Sequence, residues 1–316
     1  MSTCPTYTPP IRSRRRLMRV ALEDEYGLVP TSMPTFSLYD ELFPMQPAIT
    51  TASREEDGAL VGEAIPLDAG YTIQGSTFVH YFGGTLPDWT RALELAGCPL
   101  DIANGWGRIV FAPGRPRSGT VEVVYGSRVL RAAGARSTCT LRAEVGGPIQ
   151  CEFSMRGNYS APETDTGSLS LAAPEAPPLF LGIDFGIVNE RTGTTVVPIV
   201  KSMSIDVGAA LRQRDDDRGE SDQVEIALEP LRAPLWETVV EANDTYDWET
   251  QFRRKDKFAL YLTMYDTFSK RMMVCTPLGY TAQLNAVPTF GDMNGVTVQA
   301  LQFKLREQRF IEVELF

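Results

Sequence analysis

The densest run of chemistry-bearing side chains in this sequence is acidic. "RDDDRGESD", Arg214 to Asp222, sets Asp215, Asp216 and Asp217 side by side. A calcium loop spaces its ligands as D-x-D-x-D-G and closes on a glutamate, and three adjacent aspartates do not fit that order. On a strand they could not share a face either, because successive side chains alternate. The run reads as a solvated hairpin tip, with an acidic contact loop facing a basic patch of another copy as the functional alternative. His80 is the sole histidine, which removes most imidazole-based metal sites and triads. It stands in "STFVHYFGG" with no marked nucleophile, and the chain holds neither G-x-S-x-G nor H-E-x-x-H. His80 is read as structural. The five cysteines, Cys4, Cys98, Cys139, Cys151 and Cys275, form no C-x-x-C pair. Their odd number and spacing fit free, buried thiols in a reducing compartment. Carboxylates are numerous, but no pair is singled out for glycoside hydrolysis. The expectation is a chain without a catalytic constellation, metal or other cofactor.

A second charged stretch is "RSRRRLMRVALEDEYGLVPT", Arg12 to Thr31. Arg12, Arg14, Arg15, Arg16 and Arg19 are followed at once by Glu23, Asp24 and Glu25. A twin-arginine export signal needs an unbroken apolar run after its arginines, and here acids interrupt it. The formal net charge of −10 argues against a nucleic-acid reader, which needs a cationic contact surface. Blocks of opposite sign suit pairing with a neighbouring subunit. These eight residues and Asp215, Asp216 and Asp217 are the candidate inter-subunit contacts. Arg212–Asp217 and Arg54–Asp57 are the best candidates for charged contact loops. No window approaches the roughly 20 apolar residues of a membrane span, so no membrane partner is expected.

The elements that must position these residues are mainly strands. The chain has 316 residues, enough for two domains at about 150 residues each. Residues 1–50 are proline-rich with little periodicity, and read as an extended arm in which Leu17 to Tyr26 could form a helical turn. From 51 to 165, alternating stretches such as "GTVEVVYGSRVLRAA" and "RSTCTLRAEV" are broken by glycine turns, the pattern of an antiparallel sandwich or barrel. "LPDWTRALELAGC" interrupts them as a helix, with Pro87 at its start, Gly97 at its end and Trp89, Ala92, Leu93 and Ala96 on one face. "APETDTGSLSLAAPEAPP", Ala161 to Pro178, reads as linker sequence, with 166–178 the linker proper between the two units. Residues 179–316 repeat the strand pattern. Within them "APLWETVVEAND" is taken as a second helix on its stripe of Leu235, Trp236, Val239 and Val240. The fold expected is therefore mainly β: two tandem antiparallel sandwich units, each with a flanking helix, behind an N-terminal arm.

Two stretches together resemble the tail tube proteins of long-tailed, siphovirus-like bacteriophages. In "RVALEDEYGLVPT" the family's Glu-x-x-Tyr-Gly-x-x-Pro pattern is matched by Glu23, Tyr26, Gly27 and Pro30. "GARSTCTLRAEVGGPIQCEFSMRGNYSAP" is similar to its central signature, through Gly134, Ala135, Arg136, Gly147, Pro148, Phe153, Gly157, Tyr159 and Pro162. "LPDWTRALELAGC" is similar to the family's helix, and "SMSIDVGAALRQRDDD" to the opening of its second half. The resemblance implies a virion protein without a reaction, assembled in the host cytoplasm. Its subunits form stacked rings, six tube-type units to a ring, around a channel for DNA. Partners would be further copies of itself, other tail proteins at the tube ends, and DNA passing without sequence-specific binding. Two units per chain favour a trimeric ring over a hexameric one. An acid-dominated channel wall would repel phosphate. The rival reading is a β-sandwich carbohydrate-active enzyme or glycan-binding decoration protein.

Overall fold

The computed structural model describes residues 16–36, 46–54, 63–80, 87–103, 106–111, 117–125, 128–164, 177, 179–213, 226–230, 234–243, 246–265, 271–276, 282–305 and 311–315. The fold is mainly β with two short helices. The first half comprises β1 (Arg16–Leu22), β2 (Thr35–Phe36), β3 (Gln46–Arg54), β4 (Glu63–Phe78), α1 (Asp88–Leu95), β5 (Leu100–Ala103), β6 (Trp106–Phe111), β7 (Gly119–Tyr125), β8 (Arg128–Glu144) and β9 (Gln150–Thr164). The second comprises β10 (Asp184–Asn189), β11 (Thr195–Val196), β12 (Val200–Asp206), β13 (Ala209–Gln213), β14 (Ile226–Pro230), β15 (Leu235–Glu241), α2 (Trp248–Arg253), β16 (Lys257–Tyr265), β17 (Arg271–Cys275), β18 (Ala282–Leu284), β19 (Thr289–Met293), β20 (Val296–Leu305) and β21 (Ile311–Leu315).

One antiparallel run of strands crosses the whole protein in the order β3-β4-β9-β8-β12-β15-β20-β19. The first four strands belong to the first half and the last four to the second. Within each half the chain visits its four positions in the same sequence: edge, second, fourth, third. Further parallels flank them. In each half a two-residue strand pairs with the half's opening strand, β2 on β1 and β11 on β10. The opening strand also pairs with a strand that lies beyond the helix in sequence, β1 with β7 and β10 with β16.

Directly opposed residues on paired strands share a face, so the registers trace rows across the sheet. Thr77, Cys151, Leu141, Ile205, Trp236 and Phe303 form one inward row running through both halves, and all six are buried. Helix α1 covers the first half of this face. Trp89, Ala92 and Leu93 are fully buried there, and the Cys139 thiol donates to the Ala92 carbonyl at 3.2 Å. Strands β10 and β16 cover the second half. Phe185 meets Trp236 with ring centroids 6.0 Å apart, and Phe258 meets Phe303 at 5.7 Å. Buried residues of both halves form one continuous core.

Four expectations are corrected. Residues 16–22 are a strand, not an arm or a helical turn: Met18 and Val20 are fully buried because β1 lies between β2 and β7. The arm reading also fails at Phe36, whose ring packs edge-on against Phe153 at 5.5 Å, and at 46–50, which belong to β3. "APLWETVVEAND" carries β15 rather than a helix, and the helix of this half is α2, capped by the Asp247 carboxylate accepting from Thr250 N–H at 3.0 Å. Ala161–Thr164, placed in the linker, finish β9; 165–176 and 178 lie outside the described residues.

Candidate assembly surfaces

The outward rows of the eight-stranded sheet are polar. One passes through Ser76, Glu152, Thr140, Asp206 and Lys304, with Leu235 between the last two. The next holds Gln150, Arg142, Ser204, Glu237 and Gln302. Charges on this face pair with one another: Arg142 with Glu152 at 3.2 Å and Lys201 with Glu241 at 2.5 Å. Gln302 donates to Glu237. A shallow groove of about 540 Å³ runs over the junction of the halves, lined by Arg142, Glu144, Ser202, Ser204, Glu237 and Gln302 among others.

The stretches quoted for the family resemblance meet in space. The Glu23 carboxylate is only 4% exposed. It accepts from Gly27 N–H at 2.8 Å, the Thr120 hydroxyl at 2.7 Å and Gly134 N–H at 2.9 Å. That bracket holds Tyr26 over Gly134, which has φ +62° and whose added Cβ would lie 2.6 Å from the Tyr26 ring. Both the backbone sign and the space demand glycine there. The Arg136 guanidinium stands over the same ring, 5.6 Å from its centroid. Tyr26 then reaches into the second half, its hydroxyl accepting from Ile226 N–H at 2.7 Å. Glu-x-x-Tyr-Gly and Gly-Ala-Arg are thus two sides of one internal clamp. No spacing rule exposes it, since the partners lie 111 residues apart.

The candidate contacts separate accordingly. Glu23 is turned inward, and its carboxylate accepts three hydrogen bonds inside the protomer. Arg19 is likewise turned inward to Glu122 at 3.4 Å, and Arg131 reaches the same carboxylate at 2.7 Å. Asp24 and Glu25 are exposed in the turn after β1, and Arg16 opens that strand. Arg212 is exposed in β13 and Arg54 closes β3. Arg12, Arg14, Arg15, Asp215, Asp216, Asp217 and 55–57 lie outside the described residues.

His80 accepts Trp89 Nε1–H at its carbonyl, 3.1 Å away, and its ring packs edge-on to Phe78 at 6.2 Å. Cys98, Cys139 and Cys151 are free and buried. Burial pushes the Cys98 thiol well up, and a hydrogen bond with Cys139 followed by burial does the same for Cys151. Such thiols are poor nucleophiles. Among the described residues no group of three His, Cys, Asp or Glu is placed to hold a metal ion.

The edge formed by the β19–β20 hairpin is the surface that sequence reasoning missed. Its tip, Asn294-Gly295, has φ +55° and +79°, the two positive values of a type I′ turn. All of β19 is exposed. Phe290 is 71% exposed and Met293 and Val296 stand exposed beside the turn. No protein-family model matches this chain, and no curated protein matches it significantly.

Proposed function

We propose that this protein is the subunit of a tail tube of the kind the sequence resembles, a ring-forming virion protein whose stacked rings enclose a channel for DNA. The observation that carries the reading is the eight-stranded sheet with two unequal faces. One face holds a continuous core, and the other is polar. A sheet of this kind, repeated around an axis, closes into a wide barrel with its polar face inward. Closure also removes the strand edges that would otherwise template aggregation.

The polar face suits a wall past which DNA slides, and the carboxylates named on it, Glu144, Glu152, Asp206, Glu237 and Glu241, outnumber the cations Arg142, Lys201 and Lys304. Two of these cations pair with carboxylates, and the hydroxyls of Ser76, Thr140 and Ser204 lie in the same rows. Arg142 and Lys201 are already engaged by carboxylates, so they offer phosphate little field with which to release counterions.

Electron microscopy of the concentrated, purified protein tests the reading. Rings or hollow tubes are the expected result. Dispersed monomers that bind or cleave oligosaccharides would replace it with the glycan-directed alternative, for which the groove over β8 and β12 would be the place to look.

A further inference from the structure

The protein contains, between its own halves, a junction of the type it would need between copies. Strand β8 occupies the third-visited position of the first half; its opening residues pair with β7, and its last five, residues 140–144, form the outer edge of that half's four-strand run. There it pairs with β12, the first of the four strands of the second half, from Thr140↔Asp206 to Glu144↔Ser202. The inward side chains of β8 at this junction, Leu141 and Ala143, are each 3% exposed, because Ile205 and Met203 stand opposite them.

Strand β19 occupies the same position in the second half. It also ends its half's four-strand run, and it is the same five-residue length as the paired segment of β8. Phe290 and Asp292 share its inward face, and Phe290 lies opposite Gln299 and, through it, Val240. Both of those neighbours are buried. Phe290 is exposed because, among the described residues, β19 pairs with β20 alone. In a two-residue hairpin the pair that flanks the turn is hydrogen-bonded and the pairs then alternate. Met293 opposite Val296 is that flanking pair. Phe290 and Asp292 therefore direct their backbone N–H and C=O away from β20, toward the open side. A large apolar ring and a row of unpaired backbone groups at one edge are complementary to another strand, and not to a small ligand.

We propose that the outer edge of β19 pairs with the outer edge of β3 in a second copy of this chain, burying Phe290 as β12 buries Leu141. Strand β3 is the matching partner. It opens the four-strand run of the first half as β12 opens the second, and among the described residues it pairs only with β4. The contact is heterologous, edge to opposite edge, and such contacts close into rings when the rotation between copies allows it. Every junction around the ring would then join a third-visited strand to a first-visited one, alternately within a chain and between chains. The inference deepens the ring reading and rests on it only for closure; the pairing itself rests on the repeated strand order.

The test uses the full-length protein, Phe290→Asp and Phe290→Leu, with assembly followed by native mass spectrometry across a dilution series. An aromatic anchor truncated at an interface centre commonly costs about 2 kcal/mol or more, roughly a 30-fold change. Phe290→Asp is therefore expected to raise the concentration needed for assembly by about 30-fold or more, and Phe290→Leu to stay near the wild type. The thermal midpoint of the dilute protomer should be alike in all three. Hydrogen–deuterium exchange of wild type supplies a second readout that needs no variant: residues 289–293 should become protected on assembly. If rings form and Phe290→Asp assembles at wild-type concentrations, or 289–293 exchange equally in rings and protomers, the junction is overturned while the ring reading stands. If wild type forms no ring at any concentration, both fall.

Discussion

Replacing Glu23 with alanine is expected to remove about 3 kcal/mol of folding stability, since it leaves buried donors without acceptors at a cost of about 1–3 kcal/mol each. Three donors converge on this carboxylate: Gly27 N–H, the Thr120 hydroxyl and Gly134 N–H. Glutamine separates hydrogen bonding from charge. Its single carbonyl can serve Thr120 and Gly134, which share Oε1, while its amide nitrogen would face Gly27 N–H as a second donor. Glu23→Gln should therefore lose about 1–2 kcal/mol, between wild type and alanine. Urea unfolding followed by tryptophan fluorescence reads both. An alanine variant within about 0.5 kcal/mol of wild type, the range of ordinary surface changes, would show that the clamp is not stabilising. The loss should be felt across the chain's midpoint, because the clamp positions Tyr26 against Ile226 of the second half.

The second large effect is expected at Trp236. Its side chain is fully buried between Ile205 and Phe303 and under Phe185. Truncation to alanine leaves a cavity in a row shared by both halves and should cost about 3–5 kcal/mol. Phenylalanine keeps the apolar contact and removes an indole N–H that is buried and has no hydrogen-bond partner among the described residues. Trp236→Phe should therefore be far milder than Trp236→Ala. Equal losses in the two variants, measured by the same urea titration, would contradict this account of the core.

Trp236 also shows where sequence reading reaches its limit. In "LWETVVE" the apolar residues fit two periods at once. Leu235, Trp236, Val239 and Val240 make a helical stripe, whereas Trp236, Thr238 and Val240 make a strand face. The structure chooses the second, burying those three residues, because β12, with one register shift between Val200 and Ser202, and β20 flank the segment on both sides. Neither neighbour is visible from the local window, and Thr238 breaks the apolar alternation that would have marked a strand. Helix α1 was legible because nothing competes with its pattern: a proline starts it, a glycine follows it, and Trp89, Ala92 and Leu93 repeat at helical spacing. The hairpins around β7, β8 and β9 were legible for a similar reason, as glycine turns bound clean alternation. The N-terminal strand was hidden by its arginines. Arg19 looks solvated in sequence, but Glu122, supplied by β7 across the sheet, accepts its charge.

The same limit governs the candidate contacts. Charge blocks suggested Glu23 and Arg19 as groups reaching outward, and composition could not show that each has an internal partner. Phe290 escaped notice because an alternating strand does not reveal which of its edges is left open. That requires the full strand order, in which the two halves repeat one pattern and only the second leaves its last strand without an outer neighbour among the described residues.

The central claim is that each chain supplies two equivalent four-strand units to a closed ring. Symmetry analysis of single rings by cryo-electron microscopy tests it most directly. Three chains per ring are expected, with the contact between β19 of one copy and β3 of the next repeating the β8–β12 contact inside each chain. Six chains per ring, or rings in which the β19 edge stays open, would contradict it.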